Sequence, residues 1–169
     1  MHRREAIQRV TLLLGGILSA QLTAGLLGEV IHTGASVAVS ADQEALLADL
    51  AEIIIPTTDT PGAKAAGVAQ FIVRIMRDCY KIDEQEQFYA GLERLGSKGF
   101  AGSDPVRQVE LVRAAATEDT AFFKLMKQLT VAGYFTSEIG ATQALAYLPI
   151  PGKFEGNVPL KPNQKAWAL

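Results

Sequence analysis

Apolar residues recur at helical spacing through the middle of the chain. Over residues 46–54 and again over 68–79, apolar side chains return every three or four positions. This spacing is typical of amphipathic helices that bury one face. No window alternates apolar and polar residues convincingly, as a half-buried strand does. A strand competes only at 53–55, and the stripe that begins at Leu46 favours helix there. We therefore predict an all-α fold, a single compact helical domain of about six helices.

Local signals place the ends of the first predicted helices. Ser40 and Gln43 form a capping-box pattern before the first helix. Pro56 ends that helix, because the residue before a proline is pushed out of the α region. Residues 57–67 then read as a loop, since Pro61, Gly62 and Gly67 interrupt the helical pattern. The second helix follows from residue 68.

The remaining helices are marked by further caps. Asp83 is expected to cap a third helix over 84–97. Asp104 precedes a proline at the first helical position, which opens a fourth helix to about residue 117. A fifth helix follows with one apolar face, and a hydroxyl caps a short sixth helix to about residue 145. The residues concerned are Phe122, Met126 and Leu129 on the face, and Ser137 or Thr136 as the cap.

The C-terminal residues 147–169 contain four prolines and no helical period, so we predict an extended, proline-rich tail. Its large aromatic residues are of the kind that anchors interfaces, because they bury much area with few torsions to freeze. Prolines lower the cost of ordering such a segment when it docks. The alternative is that the tail packs on its own helices. The tail residues predicted to contact a partner are Tyr147, Pro149, Pro151, Phe154 and Trp167.

The N-terminal segment has the order of a secretory signal: a basic start, an apolar run over 10–20, and small residues after it. The apolar run is shorter than the roughly 20 residues that span a bilayer. Arg3 and Arg4 resemble a twin-arginine export signal, and candidate cleavage sites follow Ala35 and Ala38. The alternative is a first amphipathic helix or an uncleaved membrane anchor. We therefore divide the chain into a signal or N-terminal helix (1–38), a helical domain (39–146) and the tail (147–169).

Composition limits the chemistry that this chain can carry out. Its 169 residues are enough for one domain, and a net charge of −2 offers no basic field for nucleic acid. Both histidines, His2 and His32, lie in the N-terminal segment. Histidine is the commonest general base and metal ligand, so its absence from the body argues against such sites. We predict no catalytic, cofactor-binding or metal-binding residue in this chain.

Individual polar and thiol side chains have ordinary structural explanations. Cys79 lies on the apolar stripe of the second helix, which favours a buried, inert thiol over a nucleophile. Glu44, Asp49 and Glu52 share one helix and are interpreted as a solvated face and as partners of the helix dipole, not as acid–base groups. The segment 61–64 contains glycine and lysine but lacks the spacing of a phosphate-binding loop.

The loop after the first helix has two interpretations. Its hydroxyl and carboxylate groups can bond to nearby backbone, fix the loop and cap the next helix. Alternatively, they contact a partner. As the candidate partner interface of this loop we name Thr57, Thr58, Asp59, Thr60 and Pro61.

Several strings in the chain point to one family. The most specific is Ile-Ile-Pro-Thr-Thr-Asp-Thr-Pro-Gly, which ends at Gly62 within the match over 48–62. Further matches lie at 71–80, 133–140, 147–152, 157–160 and 166–168. With these residues the chain resembles the small subunit, called subunit 3 or gamma, of gluconate 2-dehydrogenase and related FAD-dependent sugar dehydrogenases. Family members often carry a cysteine where this chain has Asn157.

The resemblance implies a non-catalytic subunit that assists the maturation, export and stability of a partner. FAD would belong to a large partner subunit of the glucose-methanol-choline type, which oxidises a sugar or sugar acid. An iron–sulfur cluster or a c-type haem would lie elsewhere in the complex, the haem in a c-type cytochrome subunit. The resemblance also implies export of the folded pair through the signal at Arg3 and Arg4, to the periplasm or its membrane surface. Membrane association would come only through the complex or an uncleaved N-terminal segment.

Two other function classes stay open at this stage. One is an enzyme that uses carboxylates on the helical bundle. The other is a free-standing exported helical module that binds a small ligand.

Overall fold

The computed structural model of the protein describes residues 19–32, 34–146, 159 and 161–166. Regular structure in these residues is helical, which confirms the all-α prediction. A 3₁₀ turn spans Phe100–Gly102 and a π-helical turn spans Gly140–Ala144. The α-helices are α1 (Ala20–Leu26), α2 (Ala41–Ile54), α3 (Val68–Cys79), α4 (Ile82–Ser97), α5 (Pro105–Glu118) and α6 (Thr120–Thr136).

Two predicted caps are confirmed in atomic detail. The Ser40 hydroxyl accepts a hydrogen bond from the backbone N–H of Gln43 at 3.1 Å, and the Gln43 side chain accepts one from the backbone N–H of Ser40 at 2.9 Å. The Asp104 carboxylate accepts hydrogen bonds from the backbone N–H groups of Val106 and Arg107. Each cap satisfies N–H groups that the first helical turn leaves without a partner.

The predicted cap at Asp83 is wrong. Helix α4 begins at Ile82, so Asp83 lies inside its first turn. Glu84 takes the capping role instead, because its carboxylate reaches back and accepts the backbone N–H of Lys81 at 2.9 Å. A carboxylate in the first turn is still favourable there, since it faces the positive end of the helix dipole.

The sixth predicted helix is a distorted turn. Ser137 caps it by accepting the backbone N–H of Gly140 at 3.0 Å, which decides between the two hydroxyls named above. The turn itself has π geometry. A Cβ atom at Gly140 would lie 1.9 Å from the carbonyl oxygen of Tyr134, so only glycine fits where this turn folds against the end of α6.

Helix α6 lies at the centre of the domain and packs against α2, α3, α4 and α5. Its buried face includes the three residues expected from the sequence, and the surrounding helices present apolar residues toward the same core. These core side chains include Phe122, Met126 and Leu129 from α6, Leu47 and Leu50 from α2, Ile72 and Met76 from α3, and Phe88 and Leu92 from α4.

The described part of the tail is not simply extended. Residues 161–164 form a turn in which Asn163 has a left-handed backbone, with φ of 57°. After the turn, the carbonyl of Ala166 accepts the backbone N–H of Ala146 at 2.7 Å. The chain therefore returns to the residues that follow the π-helical turn. Residues 161–166 stay exposed along this path.

Among residues 19–32 and 34–146 and the described tail, no helix has the length and apolar character needed to cross a membrane.

Close packing of α4 on α6 generates a testable prediction. A Cβ atom at Gly91 would lie 2.5 Å from the ring of Phe122, which is itself buried against Phe88. We expect Gly91→Ala to lower the free energy of unfolding by about 1–3 kcal/mol, the usual cost of overpacking a core. Urea denaturation measures this. Gly102→Ala is the control, because no atom lies within 4 Å of the position of its Cβ; equal losses in both variants would contradict the prediction.

Candidate interaction site

The five loop residues named from the sequence lie together between α2 and α3. The carbonyl of Ile55 accepts the backbone N–H of Ala63 at 2.9 Å, which closes the loop at its base. Within it, the carbonyl of Thr60 accepts the backbone N–H of Thr58 at 3.0 Å. The side chains of Thr57, Thr58 and Asp59 are exposed. The loop thus projects polar groups outward from a closed backbone.

The carboxylate of Glu52, near the end of α2, holds this loop in place through hydrogen bonds. One of its oxygens accepts both the backbone N–H of Thr57 at 2.8 Å and the Thr57 hydroxyl at 2.7 Å. Its other oxygen accepts the backbone N–H of Lys64 at 2.9 Å. Hydrogen bonds to an ionised acceptor are stronger than neutral ones. A single side chain near the end of α2 therefore fixes both ends of the loop.

Glycine at position 62 makes this arrangement possible. A Cβ atom there would lie 2.4 Å from each carboxylate oxygen of Glu52. The backbone N–H of Gly62 also donates to the Thr57 hydroxyl oxygen at 3.0 Å. Thr57 thus donates to the carboxylate and accepts from the backbone across the loop. The Pro-Thr-Thr-Asp-Thr-Pro-Gly string encodes a compact hydrogen-bonded unit.

The hydrogen bonds to Glu52 shift its ionisation. Partial burial by itself raises the pKa of the carboxyl, but the hydrogen bonds from Thr57 and from the Lys64 backbone outweigh it, and the net pKa lies below its usual value of 4.5. The Lys64 ammonium also pairs with Asp49 at 2.7 Å. That pair is largely exposed, so it contributes little to stability.

Tyr134 joins the far side of the loop to the core. Its ring is buried on α6, and its hydroxyl donates to the carbonyl oxygen of Pro61 at 2.8 Å. The Thr60 hydroxyl lies 3.4 Å from the same phenol oxygen. An aromatic side chain on the central helix therefore fixes the middle of the loop, between the two ends that Glu52 holds.

Asp59 is the exposed charge at the tip of the loop. The Thr58 hydroxyl donates to its carboxylate at 2.9 Å. That hydrogen bond first, together with the backbone N–H of Asp59 itself and the positive charge of Lys165 from the returning tail, lowers the pKa of Asp59. The loop tip is therefore negative at neutral pH and lies within electrostatic reach of the described part of the tail.

An apolar surface continues from this loop onto α6. The ring of Phe135 packs edge-on against the ring of Tyr134, with centroids 5.2 Å apart. Phe135 is nevertheless 41% exposed, and Val131, one turn earlier on the same helix face, is 39% exposed. We call residues 57–61 together with Val131 and Phe135 the loop face.

Of the two interpretations of the loop hydroxyls, the structure confirms the local one in part. They do fix the loop, but the prediction that they cap the next helix is wrong. Helix α3 follows Gly67, which has φ of 70° and no side-chain cap. Glycine makes this turn without the strain that a side chain would add, and the backbone N–H of Val68, the first of the helix, is accepted by the carbonyl of Ala63 at 3.2 Å.

Several predicted site residues lie outside the described residues and stay predictions. They are Arg3 and Arg4 of the signal, and Tyr147, Pro149, Pro151, Phe154 and Trp167 of the tail.

Sequence reasoning missed the two residues that organise the loop. The sequence pattern alone places Glu52 among surface carboxylates and gives Tyr134 no role. Two features of the sequence could have pointed to these residues. Glu52 lies five residues before Thr57, and Tyr134 lies inside one of the strings that carry the family resemblance.

The other candidate groups have structural partners. Cys79 is fully buried, as predicted; burial raises the pKa of its thiol, which donates to the carbonyl of Glu29 at 3.4 Å. Glu44 accepts the side-chain amide of Gln70, and Asp49 pairs with Lys64. In the part of the chain that the structure describes, no three His, Cys, Asp or Glu residues are grouped in a way that could hold a metal ion.

Together these features define the class of the protein. It is a helical domain that presents an exposed loop, held by hydrogen bonds, beside an apolar surface. A family model described as Gluconate 2-dehydrogenase subunit 3 matches residues 41–152. The match covers well over half of the chain, and the chain belongs to that family. The family is named for an accessory subunit of a multisubunit dehydrogenase. No curated protein and no solved structure matches the chain.

The role of Glu52 generates a prediction about stability and pH. We expect Glu52→Gln to cost about 1–3 kcal/mol of unfolding free energy at pH 7, because an amide cannot replace an ionised acceptor of three hydrogen bonds. The folded-state pKa is lowered, so this stabilisation is present above the unfolded pKa and is lost as pH falls through the folded value.

Urea denaturation at pH 7 and at progressively lower pH tests this. The difference between wild type and Glu52→Gln should shrink below the usual carboxyl value of 4.5. Glu86→Gln, at an exposed position on α4, is the matched control and should behave as wild type. A Glu52→Gln protein as stable as wild type at pH 7 would show that the carboxylate does not hold the loop.

Proposed function

We propose that this chain is the non-catalytic small subunit of an exported FAD-dependent dehydrogenase of the glucose-methanol-choline type. The partner flavin subunit oxidises a sugar or sugar acid such as gluconate, glucose or a glucoside, and this chain assists its maturation, export and stability. The observation that carries the proposal is the family match over residues 41–152, which contains the whole loop face.

The loop face has the physical properties of a protein-binding surface. Its backbone is held by Glu52 and Tyr134, so little conformational entropy remains to be lost when a partner docks. Its tip carries exposed hydroxyls and the Asp59 carboxylate, and Phe135 adds a half-exposed aromatic ring. A central aromatic contact within a polar rim is the usual anatomy of interfaces. We assign the flavin subunit to this face.

The tail extends the proposed contact. Its described residues return to the end of the domain, since the carbonyl of Ala166 accepts the backbone N–H of Ala146, and the positive charge of Lys165 lowers the pKa of Asp59. We propose that Tyr147, Pro149, Pro151, Phe154 and Trp167 complete the partner interface. Electron transfer would continue from FAD to an iron–sulfur cluster or c-type haem elsewhere in the complex, for example in a c-type cytochrome subunit.

Co-purification tests the proposal. The chain is tagged, expressed together with a large flavin subunit of the glucose-methanol-choline type from the same source, and purified through the tag. We expect yellow flavoprotein in the eluate. We expect Phe135→Ala to weaken the complex by about tenfold or more, as for an interface anchor.

Val106→Ala is the matched control, because Val106 is a 71% exposed apolar residue on α5, outside the loop face. It should retain the flavoprotein at the wild-type level. Recovery of a stable chain without flavoprotein would contradict the subunit assignment. If both variants retained the flavoprotein equally, the assignment of Phe135 to the partner interface would be contradicted.

Export of the complex is a separate part of the proposal. We propose that Arg3 and Arg4 act as a twin-arginine signal that carries the folded, flavin-loaded partner to the periplasm or its membrane surface. Membrane association would come only through the complex or an uncleaved N-terminal segment. A variant that carries both Arg3→Lys and Arg4→Lys should leave both subunits inside the cell. Cell fractionation and dehydrogenase activity measure this. Undiminished export of active enzyme would contradict the carrier role.

A second candidate function, an exported small-ligand-binding module, is favoured by one feature. An open groove of about 470 Å³ lies between α4, α5 and the start of α6. Its charged residues are already paired, Arg94 with Asp119 and Lys98 with Glu118. A ligand would have to compete with these pairs. A saturable thermal shift of the isolated chain in a sugar and sugar-acid screen would support this function, and a flat response would count against it.

A further inference from the structure

The segment that resembles the end of an export signal is packed into the domain. Helix α1 lies on α3, and its Leu22 side chain is completely buried in the core. The Ser19 hydroxyl accepts the backbone N–H of Leu22 and lies 3.2 Å from the Tyr80 hydroxyl. This segment precedes the family match, which begins at residue 41.

The contact between α1 and α3 is close. A Cβ atom at Gly25 would lie 2.2 Å from the Ile75 side chain and 3.1 Å from the sulfur of Cys79. Only glycine allows the two helices to approach this far without displacing Ile75. Directly after α1, the carbonyl of Glu29 accepts the Cys79 thiol. Residues 19–29 therefore form a wall that covers the end of α3.

Backbone hydrogen bonds continue this wall beyond α1. The N–H groups of Ile31 and His32 both donate to the carbonyl of Asp78, at 2.8 and 3.0 Å. Further along, the backbone N–H of Val37 donates at 3.0 Å to the side-chain oxygen of Gln85, which is almost fully buried. A cut after Ala38 would remove this donor and leave a buried acceptor without its partner.

We propose that residues 19–32 and 34–38 are a structural part of the mature domain, and that any cleavage of the export signal falls before Ser19. Cleavage after Ala35 or Ala38 would remove the buried Leu22 and uncover the apolar end of α3. Burial of such side chains is the main favourable term in folding, so removing this wall carries a large stability cost. The inference does not depend on the identity of the partner subunit.

The single cysteine of the chain provides a direct readout. The full chain, purified with whatever partner it carries, is treated with a maleimide under native conditions. Labelling of Cys79 should be slow in the folded chain and rapid after denaturation. Leu22→Ala should raise the native labelling rate by roughly tenfold or more, because it loosens the packing of α1 on α3.

Val30→Ala is the matched control, since Val30 lies in the same segment and is 56% exposed; its labelling rate should stay within about twofold of wild type, as for a surface substitution. Rapid native labelling of the wild-type chain, or equal rates in wild type and Leu22→Ala, would overturn the proposal.

The first residue of the exported chain provides the second measurement. Intact mass and N-terminal sequencing should give a chain that begins at or before Ser19. Any later first residue would overturn the proposal. Because neither readout requires the flavin subunit to be bound, failure here is distinguishable from failure of the proposed subunit role, which the co-purification reports.

Discussion

The carboxylate of Glu52 is the constraint on which the loop face of this domain depends. It accepts three hydrogen bonds from residues on both sides of an exposed loop, two from Thr57 and one from Lys64. Without an ionised acceptor at this point, the backbone N–H groups of the loop would have to find water or a different conformation. The absence of a side chain at Gly62 is the complementary requirement, because the carboxylate occupies that space.

A second contact, made by Tyr134, connects the loop to the core of the domain. Tyr134 lies on α6, the helix that packs against four others, and its hydroxyl reaches the Pro61 carbonyl. Gly133, its neighbour, allows the ring of Phe71 to approach within 2.6 Å of where a Cβ atom would lie. The loop is therefore fixed relative to the bundle, and Phe135 is presented beside it. Rigid surfaces of this kind bind partners with a smaller entropy cost than mobile ones.

The sequence predicted those elements whose signals are local. The capping box at Ser40, the stop at Pro56 and the cap at Asp104 act over a few residues, and all three are present. The predicted cap at Asp83 is wrong because the helix begins earlier than expected, at Ile82. Glu84, the residue after Asp83, then supplies the carboxylate that accepts the backbone N–H of Lys81. The five loop residues were also found from sequence, since proline, glycine and threonine mark such a loop directly.

The features that escaped prediction depend on contacts between distant segments. No local pattern shows that Tyr134 reaches a loop 73 residues earlier, or that Leu22 is buried against α3. The segment that begins at Ser19 is the clearest case, because its small and apolar residues are typical of both the end of a signal peptide and a packed helix. The close approach at Gly25 and the Cys79 contact show that residues 20–29 pack against α3, and both depend on residues about 50 positions later in the chain.

Hydrogen–deuterium exchange over residues 56–64, with and without the flavin subunit, tests the central claim most directly. In the free chain we expect slow exchange of the loop amides that Glu52, Thr57 and Ile55 accept, at Thr57, Lys64, Gly62 and Ala63. With the flavin subunit bound, exchange at the exposed tip should slow further. Fast exchange of those amides in the free chain, or no change at the tip on addition of the flavin subunit, would contradict a preformed loop that docks on a redox partner.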